Sequence, residues 1–167
     1  MVYCAAAAVS AVIALPLLPA AALARFPVQK VNYDLGEEIG WRSQVALAAR
    51  VYDALPAPER AAAAVVTGNY GEAGAVDRYG AALGLPPADS GANSYWLWGP
   101  PPARDTVAVA VNVNPALLRH WFSSVRVAAV YRNGLGVSDD EEGAVIYVAA
   151  GLRAPWTTAW PDFRDYS

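Results

Sequence analysis

The chain begins with a long apolar stretch that contains no charged side chain. It runs from Met1 to Ala24, and Arg25 ends it. As a helix, at about 1.5 Å per residue, this stretch would be roughly 36 Å long, which is more than a hydrocarbon core about 30 Å thick. The pattern therefore predicts a transmembrane helix over residues 1–24. It would place the chain in the cell membrane as a single-pass protein, with the lipid bilayer as a partner.

Two other interpretations of the same stretch remain open. Ala22-Leu23-Ala24 has the small-x-small form of a signal-peptide cleavage site, although no Lys or Arg precedes the apolar run. The other alternative is an alanine-rich helix buried in a core. Pro16 and Pro19 would kink such a helix, and proline is better tolerated in membrane helices than in soluble ones.

Helical and strand periodicities alternate beyond this stretch. Residues 25–36 read as a linker, and residues 37–167 as a soluble extracytoplasmic domain. The first helix of the domain has apolar residues spaced along one face, namely Trp41, Val45, Ala48, Tyr52 and Leu55. Pro56 ends this helix, and the apolar run from Ala62 to Thr67 predicts a buried strand.

The same alternation continues to the end of the chain. After a glycine-containing turn, the later predicted elements are a helix ending at Gly84, a strand over Thr106–Val113, a helix from Pro115, and strands over Val125–Tyr131 and Ala144–Ala149. Pro86 to Gly91 reads as a loop, and Asn93 to Trp98 fits either a strand or a short helix. This order predicts an α/β domain with a small Rossmann-like, mostly parallel sheet in three layers, its last two strands antiparallel at one edge.

Charge, cysteine content and glycine spacing argue against several functional classes. The net charge of −3 lacks the basic excess that a nucleic-acid partner normally requires. Cys4 is the only cysteine, and no Cys/His spacing is typical of a metal site. Gly68, Gly71 and Gly74 fit neither the dinucleotide fingerprint nor a Walker loop. We therefore expect no nucleic acid, metal or cofactor, and no catalytic residue is assigned.

One candidate ligand-binding segment lies where the first predicted strand ends and the next helix begins. Open α/β sheets bind ligands at this position, and the unpaired amides of a helix start favour an oxygen-rich ligand. Asn69, Tyr70, Gly71 and Glu72 are the candidate residues. Because Glu72 would repel a phosphate, a sugar or polyol fits better. The alternative is a tight turn in which Glu72 only satisfies the helix dipole.

The aromatic segment from Asn93 to Gly99 is the second candidate. It packs three aromatic rings into four positions after the polar residues Asn93 and Ser94, and flat rings with polar neighbours stack on sugar faces. Asn93, Tyr95 and Trp96 are the candidate ligand-binding residues here. The alternative is that these rings simply fill the core of a small domain.

Four segments resemble a known bacterial group. They are the Glu-Ile-Gly-Trp helix start at Glu38–Trp41, the Asn69–Ala75 segment, Gly-Leu-Pro at Gly84–Pro86, and Asn-Ser-Tyr-Trp-Leu-Trp-Gly at Asn93–Gly99. The group is the membrane glycosyltransferases similar to protein O-mannosyltransferases and aminoarabinose transferases. These enzymes have many transmembrane helices and use a polyprenyl-phosphate sugar donor.

The resemblance implies that the chain is a C-terminal portion of such an enzyme, with its last membrane helix leading into a soluble domain. The catalytic carboxylate of the group lies in the first extracytoplasmic loop, which has no counterpart in this sequence. The domain would then serve substrate recognition or scaffolding. Its implied partners are a polyprenyl-phosphate sugar or glycan and a catalytic multi-helix membrane protein. The alternative is a free-standing membrane-anchored or secreted carbohydrate-binding module.

Overall fold

The structure is a computed structural model that describes residues 4, 6–7, 10–11, 15, 39–136 and 139–166. The chain divides into two compact units. One comprises residues 1–40 and 132–142, and the other comprises residues 41–131 and 143–167. All the helices and strands named below belong to the second unit.

Helices and strands alternate through most of the second unit. In chain order they are α1 (Trp41–Asp53), α2 (Ala57–Ala61), β1 (Ala63–Thr67), α3 (Tyr70–Tyr79), β2 (Ala88–Ser90), β3 (Val107–Val111), α4 (Pro115–Trp121), β4 (Phe122–Val130), β5 (Val145–Leu152) and α5 (Trp156–Ala159). Three 3₁₀ helices join them, at Ala81–Leu83, Asn93–Trp98 and Trp160–Phe163.

The five strands form one mixed sheet in the order β2-β1-β3-β5-β4. β1 pairs in parallel with both β2 and β3, whereas β5 pairs antiparallel with both β3 and β4. The prediction of a mostly parallel sheet is therefore wrong. Two consecutive strands can be parallel only if a crossover, usually a helix, connects them. The described residues between β4 and β5 form no helix, and the two strands form a hairpin. β5 therefore runs antiparallel to β4 and lies between β3 and β4.

Helices cover both faces of the sheet, and two central strands, β1 and β3, are apolar except for Thr67. Every residue of β1 and β3 is buried. On one face, Val45 of α1 and Val76 of α3 pack in the same cluster as Val65 of β1. On the other face, Leu118 of α4 and Trp156 of α5 pack in the cluster that contains Val66 and Ala110. The result is a three-layer α/β domain with a mixed sheet.

Two segments left open or misassigned by the sequence take regular structure. The predicted loop Pro86–Gly91 contains strand β2, whose register places Ala88 beside Val65. The aromatic segment Asn93–Trp98 is a 3₁₀ helix. Near the C-terminus, Trp156 and Trp160 are almost completely buried against the sheet, at 2% and 4% exposure.

The predicted transmembrane helix over residues 1–24 has to be corrected. Within the described part of the chain, no helix combines the length and the apolar character needed to cross a bilayer. Most of residues 1–24, and the whole predicted linker 25–36, lie outside the described residues.

Candidate functional site

A crevice opens at the carboxyl ends of the parallel strands. The chain leaves β1 to form β2 on one side of it, and later forms β3 on the other side, so the direction of the connections switches between β1 and β3. Open α/β sheets bind ligands at such a switch point. The crevice has a volume of about 470 Å³. Thr67 and Gly68 after β1, Asn112 and Asn114 after β3, and Tyr147 on β5 contribute to its lining.

Two glycines allow the backbone segments around the crevice to approach one another closely. A β-carbon on Gly68 would overlap the carbonyl oxygen of Asn112, and one on Gly91 would overlap the carbonyl oxygen of Phe163. The Asp165 amide donates to the Gly91 carbonyl at 2.9 Å, and the Asn93 amide donates to the Asp165 carbonyl at 2.8 Å. The C-terminal segment thus forms an isolated parallel bridge, between Asp165 and Ala92, just after β2, and it lines one side of the crevice.

Asn112 has an unusual backbone conformation at this edge. Its φ of 54° lies in the left-handed region, which asparagine tolerates better than most residues. Its amide donates to the Val145 carbonyl at 2.8 Å, which fixes the residue against β5. The Asn112 side chain is exposed and, among the described residues, makes no hydrogen bond. Its carboxamide therefore offers both donors and an acceptor to a ligand.

Two further neutral polar groups line the same crevice. The Asn114 Oδ1 accepts the Ala116 amide at 2.9 Å and so caps α4, while its Nδ2 makes no hydrogen bond to a described residue. The Tyr147 side chain is half-buried, and its hydroxyl makes no hydrogen bond to any described residue. Together with Asn112, these groups provide two amides and a phenol for hydrogen bonding.

The charged residues of the crevice all come from the C-terminal segment. The Asp162 carboxylate accepts the Trp121 Nε1 proton at 3.2 Å. The Arg164 guanidinium lies 4.5 Å from the ring centroid of Trp96, a cation–π contact. With Asp165 included, two carboxylates and one guanidinium line the crevice. This excess of negative charge disfavours an anionic ligand and favours a neutral one.

The first group of sequence-predicted residues forms a helix cap beside the crevice. The Asn69 Oδ1 accepts the Glu72 amide at 2.8 Å, while the Glu72 Oε2 accepts the amides of Gly68 and Asn69 at 3.0 and 3.1 Å. This is a capping box at the start of α3. Glu72 is only 1% exposed, so its carboxylate serves the backbone in this structure. Tyr70 is exposed, and Gly71 faces the ring of Trp41.

The second group lies in the 3₁₀ helix that follows β2. The Tyr95 hydroxyl donates to the Asp77 carboxylate at 2.9 Å, away from the crevice lining. The indole of Trp96 donates to the Trp160 carbonyl at 3.4 Å. Asn93 has the second positive φ among the described non-glycine residues, at 50°. Asn93 and Trp96 thus contact the C-terminal segment and Tyr95 contacts α3, and none of the three residues lines the crevice.

The candidate residues predicted from the sequence do not include the polar residues that follow β3. The sequence indicated Asn114 only as the cap of the helix that begins at Pro115, and it indicated a ligand site only at the turn after β1. The signal was present: Asn112 and Asn114 flank Val113 directly after a buried parallel strand and before Pro115 at a helix start. Among the described residues, no cluster of His, Cys, Asp and Glu side chains is arranged to hold a metal ion.

A group of carboxylates lies elsewhere in the domain, around β2. Burial, together with the nearby carboxylates of Asp105 and Asp77, raises the pKa of Asp89 from 3.8 to about 7. Burial and the hydrogen bond to Asp77 also raise the pKa of Tyr95 to about 12. Asp77 itself accepts the Ala88 amide at 2.9 Å. This group links α3, β2 and the 3₁₀ helix through a carboxylate rather than through apolar packing.

Comparison of the chain with protein-family models, with curated proteins and with solved structures gives no match. The resemblance to membrane glycosyltransferases therefore stays a prediction from the motifs alone.

Proposed function

We propose that the α/β domain is a carbohydrate-recognition domain that binds a neutral sugar unit in the crevice between β1 and β3. The carboxamide of Asn112 is the observation that supports this most directly. The hydrogen bond of the Asn112 backbone amide holds the residue at the switch point, and its exposed side chain is available to a ligand. A carboxamide can donate to one sugar hydroxyl and accept from its neighbour.

The other lining groups suit the same ligand class. Asn114 and Tyr147 add neutral hydrogen-bonding groups, and the ring of Tyr147 adds an apolar surface. The two aspartates of the C-terminal segment disfavour a phosphate in the crevice, but their carboxylates accept hydrogen bonds from sugar hydroxyls well. A volume of about 470 Å³ is within the range of small-molecule sites.

A recognition role agrees with the role that the glycosyltransferase resemblance implies. In that setting the crevice would hold a sugar of the acceptor or donor, and the bond-making residues would lie outside this chain. A free-standing carbohydrate-binding module would use the same crevice. Binding of free methyl glycosides supports either role, whereas binding only of a sugar linked to a polyprenyl phosphate would favour the glycosyltransferase.

The experiment is a nuclear magnetic resonance titration of the ¹⁵N-labelled full chain with the methyl glycosides of mannose, glucose, galactose and arabinose. At least one glycoside should shift the backbone and side-chain amides of Asn112 and Asn114. The Asn112→Gly variant keeps the left-handed backbone and removes the carboxamide. It should weaken binding by about tenfold, the loss of one well-made hydrogen bond.

A matched control exists within the chain. Asn93→Gly makes the same substitution at the other asparagine with a positive φ, outside the crevice lining. It should bind the glycosides as the wild type does. If Asn93→Gly loses binding and Asn112→Gly does not, the site lies in the aromatic segment that the sequence first indicated, and the crevice assignment is wrong.

A further inference from the structure

Strand β4 forms one edge of the sheet and is its longest strand, with nine residues. It pairs with β5, and its other side faces no strand within the described part of the chain. Natural edge strands are usually short, charged, interrupted by proline or covered, because an unpaired edge binds other strands. β4 has one charged residue, Arg126, and no proline, and its Val127 is 60% exposed.

The opposite edge of the sheet, at β2, is protected by the chain itself. β2 has only three residues, and the Asp77 carboxylate accepts its Ala88 amide at 2.9 Å. Just after β2, the Gly91 carbonyl and the Asn93 amide form hydrogen bonds with the backbone of Asp165. The two edges therefore differ: the described residues cover the edge at β2 and leave the edge at β4 without a partner.

The pairing with β5 shows which backbone groups of β4 point outward. Neighbouring residues of an antiparallel strand direct their N–H and C=O groups to opposite sides. The Val145 carbonyl accepts the Asn112 amide, so the odd-numbered residues from 145 to 150 face β3 and the even-numbered ones face β4. Ser124 and Arg126 pair with even-numbered residues of β5 and therefore face it. The residues that direct their backbone groups outward are Ser123, Val125 and Val127.

A β-bulge sets the length of the outward segment. The register between β4 and β5 shifts between Val127 and Ala129, which marks the bulge, and helix α4 ends at Trp121. The regular part of β4 therefore runs over residues 122–127, and an added antiparallel strand can pair with its three outward residues. Val125 and Val127 lie opposite Ala149 and Tyr147 of β5, so their side chains share one face of the sheet.

We propose that β4 pairs antiparallel with β4 of a second copy of the chain, about a two-fold axis at Val125. In this register Val125 lies opposite its own copy, and Val127 lies opposite Ser123. All three outward residues of each copy then take part in about six main-chain hydrogen bonds. The two sheets become one continuous sheet across the axis.

The side chains of β4 complement themselves in this register. The valines of both copies meet on one face, where cross-strand pairs of β-branched residues stabilise a sheet. On the other face, Arg126 lies opposite the neutral Ser124 and not opposite its own copy, so the single charge of the strand is not directly opposed by a like charge. No residue of β4 lines the crevice, so this pairing holds or fails independently of sugar binding.

Sedimentation velocity of the full chain, over about a hundredfold range of concentration, measures the pairing. The wild type should change from monomer to dimer, and Val127→Lys should raise the Kd of the dimer by about tenfold, because lysine blunts an edge strand. Leu97→Lys is the matched control. It makes the same change at another exposed apolar residue, on the 3₁₀ helix after β2, and should leave the Kd unchanged.

Three results of this experiment would overturn the proposal. One is a wild type that stays monomeric over the whole range. The second is a dimer with the same Kd in Val127→Lys, which another surface must hold. The third is a loss of affinity in Leu97→Lys equal to that in Val127→Lys, which would show that β4 is not the specific contact.

Cysteine variants test the register. Cys4→Ser removes the only cysteine of the chain and provides the background. Val125→Cys then places two thiols opposite each other across the axis, with their α-carbons about 5.5 Å apart, which is within the range of a disulfide. Mild oxidation should join the two chains. Ser124→Cys is the exposed control, and its α-carbons would lie roughly 8 Å apart, beyond that range. Cross-linking in Ser124→Cys as complete as in Val125→Cys would contradict a two-fold axis at Val125.

Discussion

Gly68 and Asn112 lie in direct backbone contact across the switch point between β1 and β3. The space that a β-carbon on Gly68 would need is occupied by the Asn112 carbonyl oxygen and carbon. The Gly68 amide donates to the Val111 carbonyl at 2.9 Å, next to Asn112 in the chain. The conformation of the Asn112 loop, and with it the direction of its carboxamide, thus depends on the absence of a side chain at residue 68.

Gly68→Ala should destabilise the domain and change the crevice together. The new methyl group forces the β1 and β3 ends apart, and overpacking of this kind costs about 1–3 kcal/mol. Urea unfolding measures the loss of stability. Gly74→Ala is the control, because its β-carbon has room and alanine favours a helix by about 0.5–1 kcal/mol over glycine. If Gly68→Ala is as stable as Gly74→Ala, the result would contradict a close backbone contact between Gly68 and Asn112.

Glu72→Ala should lower stability rather than act on ligand binding alone. The substitution removes the carboxylate that accepts the Asn69 amide and closes the capping box at the start of α3, whereas the Gly68 amide keeps its second acceptor, the Val111 carbonyl. Loss of such a cap costs about 0.5–2 kcal/mol. Thermal and urea unfolding report this cost. Glu59→Ala is the comparison, since that residue lies on the short helix α2 and makes no side-chain cap there.

A melting temperature unchanged in Glu72→Ala would contradict the capping role. Combined with loss of glycoside binding, that result would restore Glu72 as a ligand contact, as the sequence first indicated.

The free energy of unfolding should fall as the pH rises from about 4 to about 7, because of the ionisation of Asp89. Burial, with Asp105 and Asp77 nearby, raises its pKa from 3.8 to about 7. Below pH 3.8 the carboxyl is protonated in both the folded and the unfolded chain, so it adds no pH dependence. Between the two values only the folded chain keeps the proton, and the free energy of unfolding therefore falls as the pH rises, then levels above 7.

Asp89→Asn removes this titration while keeping the size of the side chain. Its melting temperature should exceed that of the wild type at pH 8 and approach it at pH 4, as measured by circular dichroism across that range. Asp53→Asn, at an exposed position on α1, is the control, and its melting temperature should depend on pH as that of the wild type does. A parallel pH profile for Asp89→Asn and wild type would show that Asp89 ionises normally in the folded domain.

Local sequence patterns predicted most single elements but not the arrangement of the sheet. Trp41, Val45 and Ala48 mark the first helix because one face of a helix must repeat every three or four residues. Strand β2 was not predicted from the sequence because it has only three residues, and one of them, Asp89, interrupts the apolar pattern. The position of β5 between β3 and β4 depends on contacts distant in sequence, which no local pattern contains.

The candidate site shows the same limit. The turn after β1 was found because helix starts with Asn and Glu have a local signature. In the structure, that signature belongs to a helix cap. The exposed carboxamides of Asn112 and Asn114 lie after β3. The sequence places both residues between a buried strand and a helix start, but only the strand order β2-β1-β3, a tertiary property, shows that this turn lies at the switch point.

The most direct test of the central claim is the titration of wild type, Asn112→Gly and Asn93→Gly with the four methyl glycosides, read at the amides of the crevice. The account predicts saturable shifts at Asn112 and Asn114 in the wild type. It also predicts about tenfold weaker binding in a stably folded Asn112→Gly, and wild-type affinity in Asn93→Gly. Shifts confined to residues outside the crevice, or equal affinities in all three proteins, would contradict it.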